Sequence, residues 1–329
     1  MQQIPDISQI FTIADDADFE SMALHVFAFQ YEHNQVYKSF CDAIHRRPTS
    51  VKTWQQIPFM PISFFQQHKV ASFEGKEETV FNSSGTTGSV PSVHYVHDLE
   101  VYKKSFTLGF ERFYGNPRQY ALLALLPGYL ERSNSSLVYM VDSLMKMGAD
   151  PLSGFYLHNL QKLAETLEYL HKINKKIMLV GVSYALLDLA EQYPVKIPNA
   201  IIMETGGMKG KRKELIRDEL HGILKSAFGV ASIHSEYGMT ELLSQAYSKG
   251  DGIFACPPWM RVAISDINDP LGYADFGKTG GINIVDLANF YSCSFIATQD
   301  LGRLHPNNCF EVLGRFDHSA ARGCNLMVE

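Results

Sequence analysis

Only five cysteines occur in 329 residues, Cys41, Cys256, Cys293, Cys309 and Cys324, and no two are spaced as CxxC. An odd number at wide spacing argues against a disulfide framework and against a zinc site, and reads as reduced thiols in a reducing compartment. Positive charge is not in excess either. Lys and Arg total 29 against 35 Asp and Glu, a net charge of −6, with both signs scattered along the chain. The basic stripe of a nucleic-acid-binding protein is therefore missing. That balance does not bear on an anionic nucleotide held locally, because backbone amides and a single cation suffice for one. Long hydrophobic runs are lacking: "ALLALLPGYL" is too short for a membrane span and contains Pro127. The opening "MQQIPDISQIFTIADDADF" has no basic n-region and no apolar h-region, so a cytoplasmic protein is expected. Internal repeats and low-complexity segments are absent too.

What is present is a chain that is 46% hydrophobic, the composition of an ordinary globular protein. Its length suits two or three domains, or one large α/β unit with subdomains. Residues 18–44 carry Phe19, Met22, Ala23, Val26, Phe27 and Tyr31 at helical spacing, which predicts a helical N-terminal region over 1–57. From Pro58 to Gly250 strands and helices alternate. "TVFN", "YALLALLP", "GFYL", "KIMLVGV", "AIIMETGG" and "ASIHSEYG" read as strands. Helices are predicted over 99–113, 135–147, 160–170, 184–192 and 211–228. Repeated β-then-α units imply a parallel sheet with helices on both faces, with ligands at the carboxyl ends of its strands. Residues 251–317 change to short strand-like pieces, "MRVAISD", "GGINIVDL", "SCSFIATQD" and "NCFEVLG", a mostly β subdomain. A short tail, 318–329, carries Cys324. No linker-like stretch divides these regions, so one body with subdomains is expected.

Four stretches carry chemistry. In "FNSSGTTGSVPS", Gly85 and Gly88 permit positive φ and close backbone approach, and Ser83, Ser84, Thr86 and Thr87 add hydroxyl donors without bulk. Such a loop can form an anion nest, although a flexible surface turn would have the same composition. The GK[ST] ending of the kinase and ATPase P-loop is absent. In "ETGGMKG", Gly206 and Gly207 follow a predicted strand and precede a helix, the place where a sheet offers its backbone to a ligand, or simply a connecting turn. In "YGMTE", Tyr237 can stack on a planar base, Gly238 and Met239 form the turn, Thr240 can bond a phosphate oxygen, and Glu241 is a hard oxygen ligand suited to magnesium. The plain alternative makes Tyr237 core and Glu241 a solvated first-turn residue. In "TQDLGR" and "LGRFD", Asp300 can accept from two ribose hydroxyls and Arg315 can reach ribose or phosphate; a turn aspartate with a surface ion pair is the alternative.

Taken together and in this order, the four stretches resemble the adenylate-forming enzymes: acyl-CoA synthetases, luciferases and peptide-synthetase adenylation domains. Within that superfamily the chain is most similar to the acyl-protein synthetases of bacterial bioluminescence, the fatty acid–luciferin-component ligases. "PISFFQQHKV", "LLPGYLERSNSSLVYMVDSLM", "ETGGMKGKRKE" and "HSEYGMTEL" carry this likeness, which runs from about Pro58 to the end. It implies the N-terminal domain of an adenylate-forming enzyme, with parallel sheets flanked by helices and a final mostly β subdomain. It also implies roles. Ser83 to Gly88 would hold the phosphates on the pyrophosphate side. Gly206 and Gly207 would flank the adenine, with Tyr237 stacked on it. Thr240 would touch the α-phosphate, Glu241 would bind Mg²⁺, and Asp300 would hold the ribose with Arg315 beside it. ATP and Mg²⁺ are thus the expected cofactors, with no nucleic-acid partner.

Two departures stand out. The family's TGD reads Thr298-Gln299-Asp300 here, which keeps the aspartate and loses the glycine. Asp317 would be the hinge to a C-terminal domain bearing a lysine in the larger enzymes, and only His318 to Glu329 follows in this sequence; the lysine domain is expected to be absent, with Lys209 or Lys211 as substitutes. The tail offers Cys324 in "ARGCNLM", where the resemblance implies a cysteine that carries the acyl group as a thioester before delivery to a reductase. A thiolate is a good nucleophile at the mixed anhydride of an acyl adenylate, and Arg322 would favour that thiolate. A terminal cysteine packed as a small hydrophobe is the alternative. The expected activity is ATP-dependent activation of a carboxylic, fatty acid, followed by transfer to a protein thiol, with Leu126, Tyr129 and Met140 as candidates for an acyl pocket. Two other readings remain open: ligation to coenzyme A or a carrier protein in the manner of phenylacetate-CoA ligases, and a non-catalytic subunit that binds nucleotide or acyl chain.

Overall fold

A computed structural model of the chain describes residues 6–83, 90–126, 134–157, 159–206, 212 and 215–316. Two helices open it, α1 (Asp16–His33) and α2 (Gln35–Ala43), where the sequence pattern suggested one continuous helix. Asn34 makes the break: its side chain accepts from the Tyr37 amide and caps α2, and a capping Asn favours extended backbone over continued helix. A short strand β1 (Met60–Pro61), one turn of helix α3 (Phe64–Gln67), and a hairpin of β2 (Thr79–Asn82) and β3 (Val93–Val96) follow. The hairpin stands apart as a two-stranded antiparallel sheet, so the "TVFN" strand is not part of the parallel set.

The β-then-α alternation begins after the hairpin. It runs α4 (Leu99–Tyr114), β4 (Tyr120–Leu125), α5 (Ser136–Gly148), β5 (Gly154–Phe155), α6 (Leu160–Lys172), β6 (Lys176–Val182), α7 (Ser183–Gln192), β7 (Ile201–Thr205), α8 (Arg217–Phe228) and β8 (His234–Tyr237). Capping residues set several boundaries. Asp98 accepts from the Glu100 amide at the start of α4, and Gly115, at φ 76°, ends it. Every residue of β4 is buried, as a parallel strand covered on both faces requires. The helix expected over 211–228 begins at Arg217.

The chain closes with β9 (Ala246–Ser248), β10 (Ile253–Ala255), β11 (Met260–Ser265), β12 (Gly280–Asp286), β13 (Phe295–His305) and β14 (Cys309–Arg315). Among the described residues these strands join the earlier ones in one sheet, ordered β11-β12-β13-β14-β10-β9-β8-β7-β6-β4-β5, with β1 added beside β13. Pairing is parallel from β5 to β8 and antiparallel from β8 to β11. The β-rich end therefore continues the α/β sheet. One apolar core runs through the whole, from Phe19 and Phe27 in α1 to Phe295 and Phe310 in the last two strands.

Candidate active site

Strand β8 delivers Tyr237 to its carboxyl end, and β13 and β14 place Asp300 opposite Arg315. The Tyr237 hydroxyl donates to Asp300 Oδ2 at 2.8 Å, and Arg315 Nε donates to Asp300 Oδ1 at 3.1 Å. Within β13 the Asp300 amide also donates to Thr298 Oγ1 at 3.1 Å. Asp300 is 6% exposed, whereas the Arg315 side chain is 77% exposed and reaches into solvent. The Tyr237 ring lies edge-on to Phe254 and Phe310 and is half-buried. Burial, and next the Asp300 carboxylate, push its phenol well above the ordinary tyrosine range, so it stays a donor.

The turn after β8 holds Gly238, Met239, Thr240 and Glu241. Gly238 is exposed, and Met239 and Thr240 are half-buried. Glu241 is 5% exposed. Burial raises its carboxyl above the usual range, opposed by a hydrogen bond with the Ser92 side chain and by the charge of Arg315. Ser92 in turn binds the start of the hydroxyl loop: its amide donates to Ser83 Oγ at 2.8 Å, and the Ser83 amide donates to the Ser92 carbonyl at 3.0 Å. The hairpin β2–β3 thus brings Ser83 beside Glu241 through Ser92. Gly206, at the end of β7, has φ 64°, a left-handed conformation suited to glycine, and its carbonyl accepts from Ser183 Oγ at 2.7 Å. Ser84, Gly85, Thr86, Thr87 and Gly88, Gly207, Lys209 and Lys211, Tyr129, and Cys324 with Arg322 lie outside the described residues. Leu126 and Met140 are buried.

The groups that hold this turn were not among the residues singled out in the sequence. Asn289 Nδ2 donates to the Glu241 carbonyl at 2.7 Å. Asp286 Oδ2 accepts from the amides of Leu243 and Ser244, both at 2.9 Å, and its Oδ1 accepts from the Ser244 hydroxyl at 2.6 Å. Asp286 is buried, which raises its pKa to about 6. Beneath the turn lies a second buried carboxyl, Glu236, whose Oε2 accepts from Thr205 Oγ1 at 2.5 Å and whose pKa burial pushes up to about 7. A Cβ on Gly238 would stand 2.4 Å from Glu236 Oε1, so glycine is what lets the carboxyl occupy that place. Among these, Asp286 has a sequence signal of a kind, a lone carboxylate ending the apolar run of β12; Asn289 and Glu236 have none.

The geometry suits a magnesium nucleotide in three respects. Exposed Arg315 beside sheltered Asp300 offers a cation next to a hydroxyl acceptor. Thr240 and Ser83 supply hydroxyls near one another's loops. Among the described residues no group of three His, Cys, Asp or Glu side chains forms a metal cage. A single carboxylate such as Glu241 fits Mg²⁺ carried by phosphates, because that ion is commonly held by one or two carboxylates and the substrate itself.

Several solved structures share this fold. A 2-hydroxyisobutyryl-CoA ligase, in complex with 2-HIB-AMP and CoA in the thioesterification state, superposes with a TM-score of 0.68 at 13% identity, covering 96% of this chain and 73% of the ligase. ATP-bound MatB from Rhodopseudomonas palustris gives a TM-score of 0.56 at 15% identity over 74% of this chain. The match spans about half, 49%, of the MatB chain. Likeness at such identity establishes a shared fold. Among curated proteins none gives a significant match. The family described as acyl-protein synthetase, LuxE, matches residues 14–329, nearly the full sequence, and the chain belongs to that family.

Proposed function

We propose that this protein activates a carboxylic acid, a fatty acid in the first instance, with ATP and Mg²⁺ and passes the acyl group to a protein thiol. The observation that carries this reading is the convergence of Tyr237, Asp300 and Arg315 with the Thr240–Glu241 turn and Ser83, from sequence positions more than 200 residues apart, in a chain of the acyl-protein synthetase family. Asp300 would accept from the ribose hydroxyls, Tyr237 and Gly206 would border the adenine, and Ser83, Thr240 and Arg315 would donate to phosphate oxygens. Mg²⁺ held by Glu241 would supply positive charge for the departing pyrophosphate. The carboxylate oxygen attacks the α-phosphorus, the bond to the pyrophosphate oxygen breaks, and an acyl adenylate forms. A thiolate then attacks the acyl carbonyl and AMP leaves with the bonding electrons, giving a thioester.

The nucleophile in this reading is Cys324. The described cysteines are poor competitors, because burial pushes the thiols of Cys41 and Cys256 up to about 12 and raises those of Cys293 and Cys309 as well. Acceptors beyond Cys324 would be a reductase or carrier protein. Coenzyme A is the second reading, favoured by the similarity to a ligase solved with CoA. The test is intact mass after incubation with ATP, Mg²⁺ and a series of fatty acids, alongside ATP–pyrophosphate exchange. The expected result is exchange with at least one acid and a hydroxylamine-sensitive mass gain that Cys324→Ser loses while exchange persists. Folded protein that exchanges with no acid would overturn the activity; unchanged product formation by Cys324→Ser with coenzyme A present would move the acceptor to CoA.

A further inference from the structure

Histidine 94 is buried in β3, on the hairpin whose loop holds the candidate phosphate hydroxyls. Its Nδ1 lies 2.8 Å from the Thr240 carbonyl oxygen and its Nε2 lies 2.9 Å from Ser292 Oγ. A carbonyl oxygen only accepts, so Nδ1 must carry the proton. Burial keeps the imidazole neutral, and a neutral ring has one donor, so Nε2 is the acceptor and the Ser292 hydroxyl must donate to it. Ser292 is itself fixed: its amide donates to the Asn289 carbonyl at 2.9 Å, and its carbonyl accepts from Ser72 Oγ and from Asn34 Nδ2 at 3.0 Å. Asn289 also holds the neighbouring Glu241 carbonyl. Two successive carbonyls of the turn, those of Thr240 and Glu241, are therefore held by buried side chains that converge on 289–292. One of those two, His94, is covalently part of the phosphate-loop hairpin.

We infer that His94 is a positioning residue for acyl-adenylate formation, held as the Nδ1–H tautomer so that it locks the Thr240–Glu241 turn to the hairpin that carries Ser83. This rests on the nucleotide site proposed above and deepens it. Thr240 and Glu241 are offered to the nucleotide by their side chains, and those side chains are aimed by the backbone whose carbonyls are held. A misplacement of about 1 Å at such groups can cost on the order of a hundredfold in rate. The hairpin and the turn come from different parts of the fold, so their mutual placement depends on contacts like this one rather than on a shared strand.

Two measurements test it. The first is the ¹⁵N spectrum of histidine-labelled wild-type protein, in which His94 must show a protonated Nδ1 and an unprotonated Nε2, the minor tautomer of free imidazole. Assignment comes from the resonance lost in His94→Asn or, if that chain does not fold, from the one lost in His94→Leu or His94→Gln. An Nε2–H tautomer overturns the proposal. The second is ATP–pyrophosphate exchange. His94→Leu, which cannot donate, is expected to lower kcat roughly tenfold or more with KM for ATP changed less than about threefold, and His94→Asn, whose amide can donate to the Thr240 carbonyl, to recover most of the loss. Equal loss in both folded variants, or loss confined to KM, overturns it. Absence of exchange in the wild type would instead count against the nucleotide reading, and the tautomer measurement would still decide where the His94 proton sits.

Discussion

Glu236 shows how a single buried carboxyl makes stability depend on pH. Its proton is held to about pH 7 in the folded chain because burial disfavours the carboxylate, with Glu204 adding to the rise and the Thr205 hydroxyl opposing it. In the unfolded chain an ordinary glutamate releases its proton near pH 4.3. Between those values the folded state binds the extra proton, so stability falls as pH rises, by up to about 1.4 kcal/mol per pH unit, and falls no further once the folded group has also ionised. Glu236→Gln keeps an acceptor for Thr205 and removes the charge. The variant is expected to lose the decline in melting temperature that the wild type shows between pH 6 and 7, and to be the more stable of the two at pH 8. Parallel melting curves for both proteins across that range would show that Glu236 is not the group responsible. Asp286, at about 6, contributes with the same sign at lower pH and is common to both chains.

The two N-terminal helices are structural supports for the candidate site rather than an appendage. Gln30 Nε2 in α1 donates to the carbonyls of Asn289 and Phe290 at 3.0 and 2.9 Å, and its Oε1 accepts from the Ser294 amide at 2.9 Å. Asn34 reaches the Ser292 carbonyl. Both side chains are fully buried, so their loss leaves backbone groups without partners at about 1–3 kcal/mol each. Gln30→Leu and Asn34→Ala are each expected to lower unfolding stability by about 2–4 kcal/mol in urea, the latter also through the lost cap of α2. Changes below about 0.5 kcal/mol would mean that the 289–294 turn is held otherwise. The helix pattern of residues 18–44 was legible because apolar spacing repeats with the helix; the break at Asn34 was not, since its cap and its long-range bonds look like any polar residue in a row of letters. The stretches beginning at Ser83, Gly206 and Gly238 were legible as short glycine- and hydroxyl-rich runs after strands, whereas TQDLGR, expected to end a strand at Asp300, lies inside β13. Asn289, Asp286 and His94 were not legible, because what makes them matter is a partner 42 to 198 residues away. Hydrophobic patterning also hid the union of the two β regions: it reports which strands are buried, but not that β8 hands over to antiparallel β9 within the same sheet.

That union bears on how the molecule as a whole would answer to its ligand. Asp300 and Arg315 sit on the strands that pair with the rest of the antiparallel half, and Tyr237 sits where the parallel half ends. A nucleotide seated across them would bridge the two halves of one sheet and stabilise the folded chain by mass action, about 2.7 kcal/mol at a hundred times its dissociation constant. For a chain of this size such a gain corresponds to a rise of several degrees in melting temperature. The expected outcome is a rise with ATP and Mg²⁺ together that shrinks when EDTA removes the metal. Glu241→Gln should lose the metal-dependent part and keep the remainder, because its amide cannot supply the charge that draws the cation. Asp300→Asn should lose most of the whole effect, since an amide turned to accept from Tyr237 and Arg315 cannot also accept ribose hydroxyls as a carboxylate does. A shift of equal size in wild type and Asp300→Asn would place the nucleotide elsewhere on the sheet, and with it the chemistry proposed for Thr240 and Glu241.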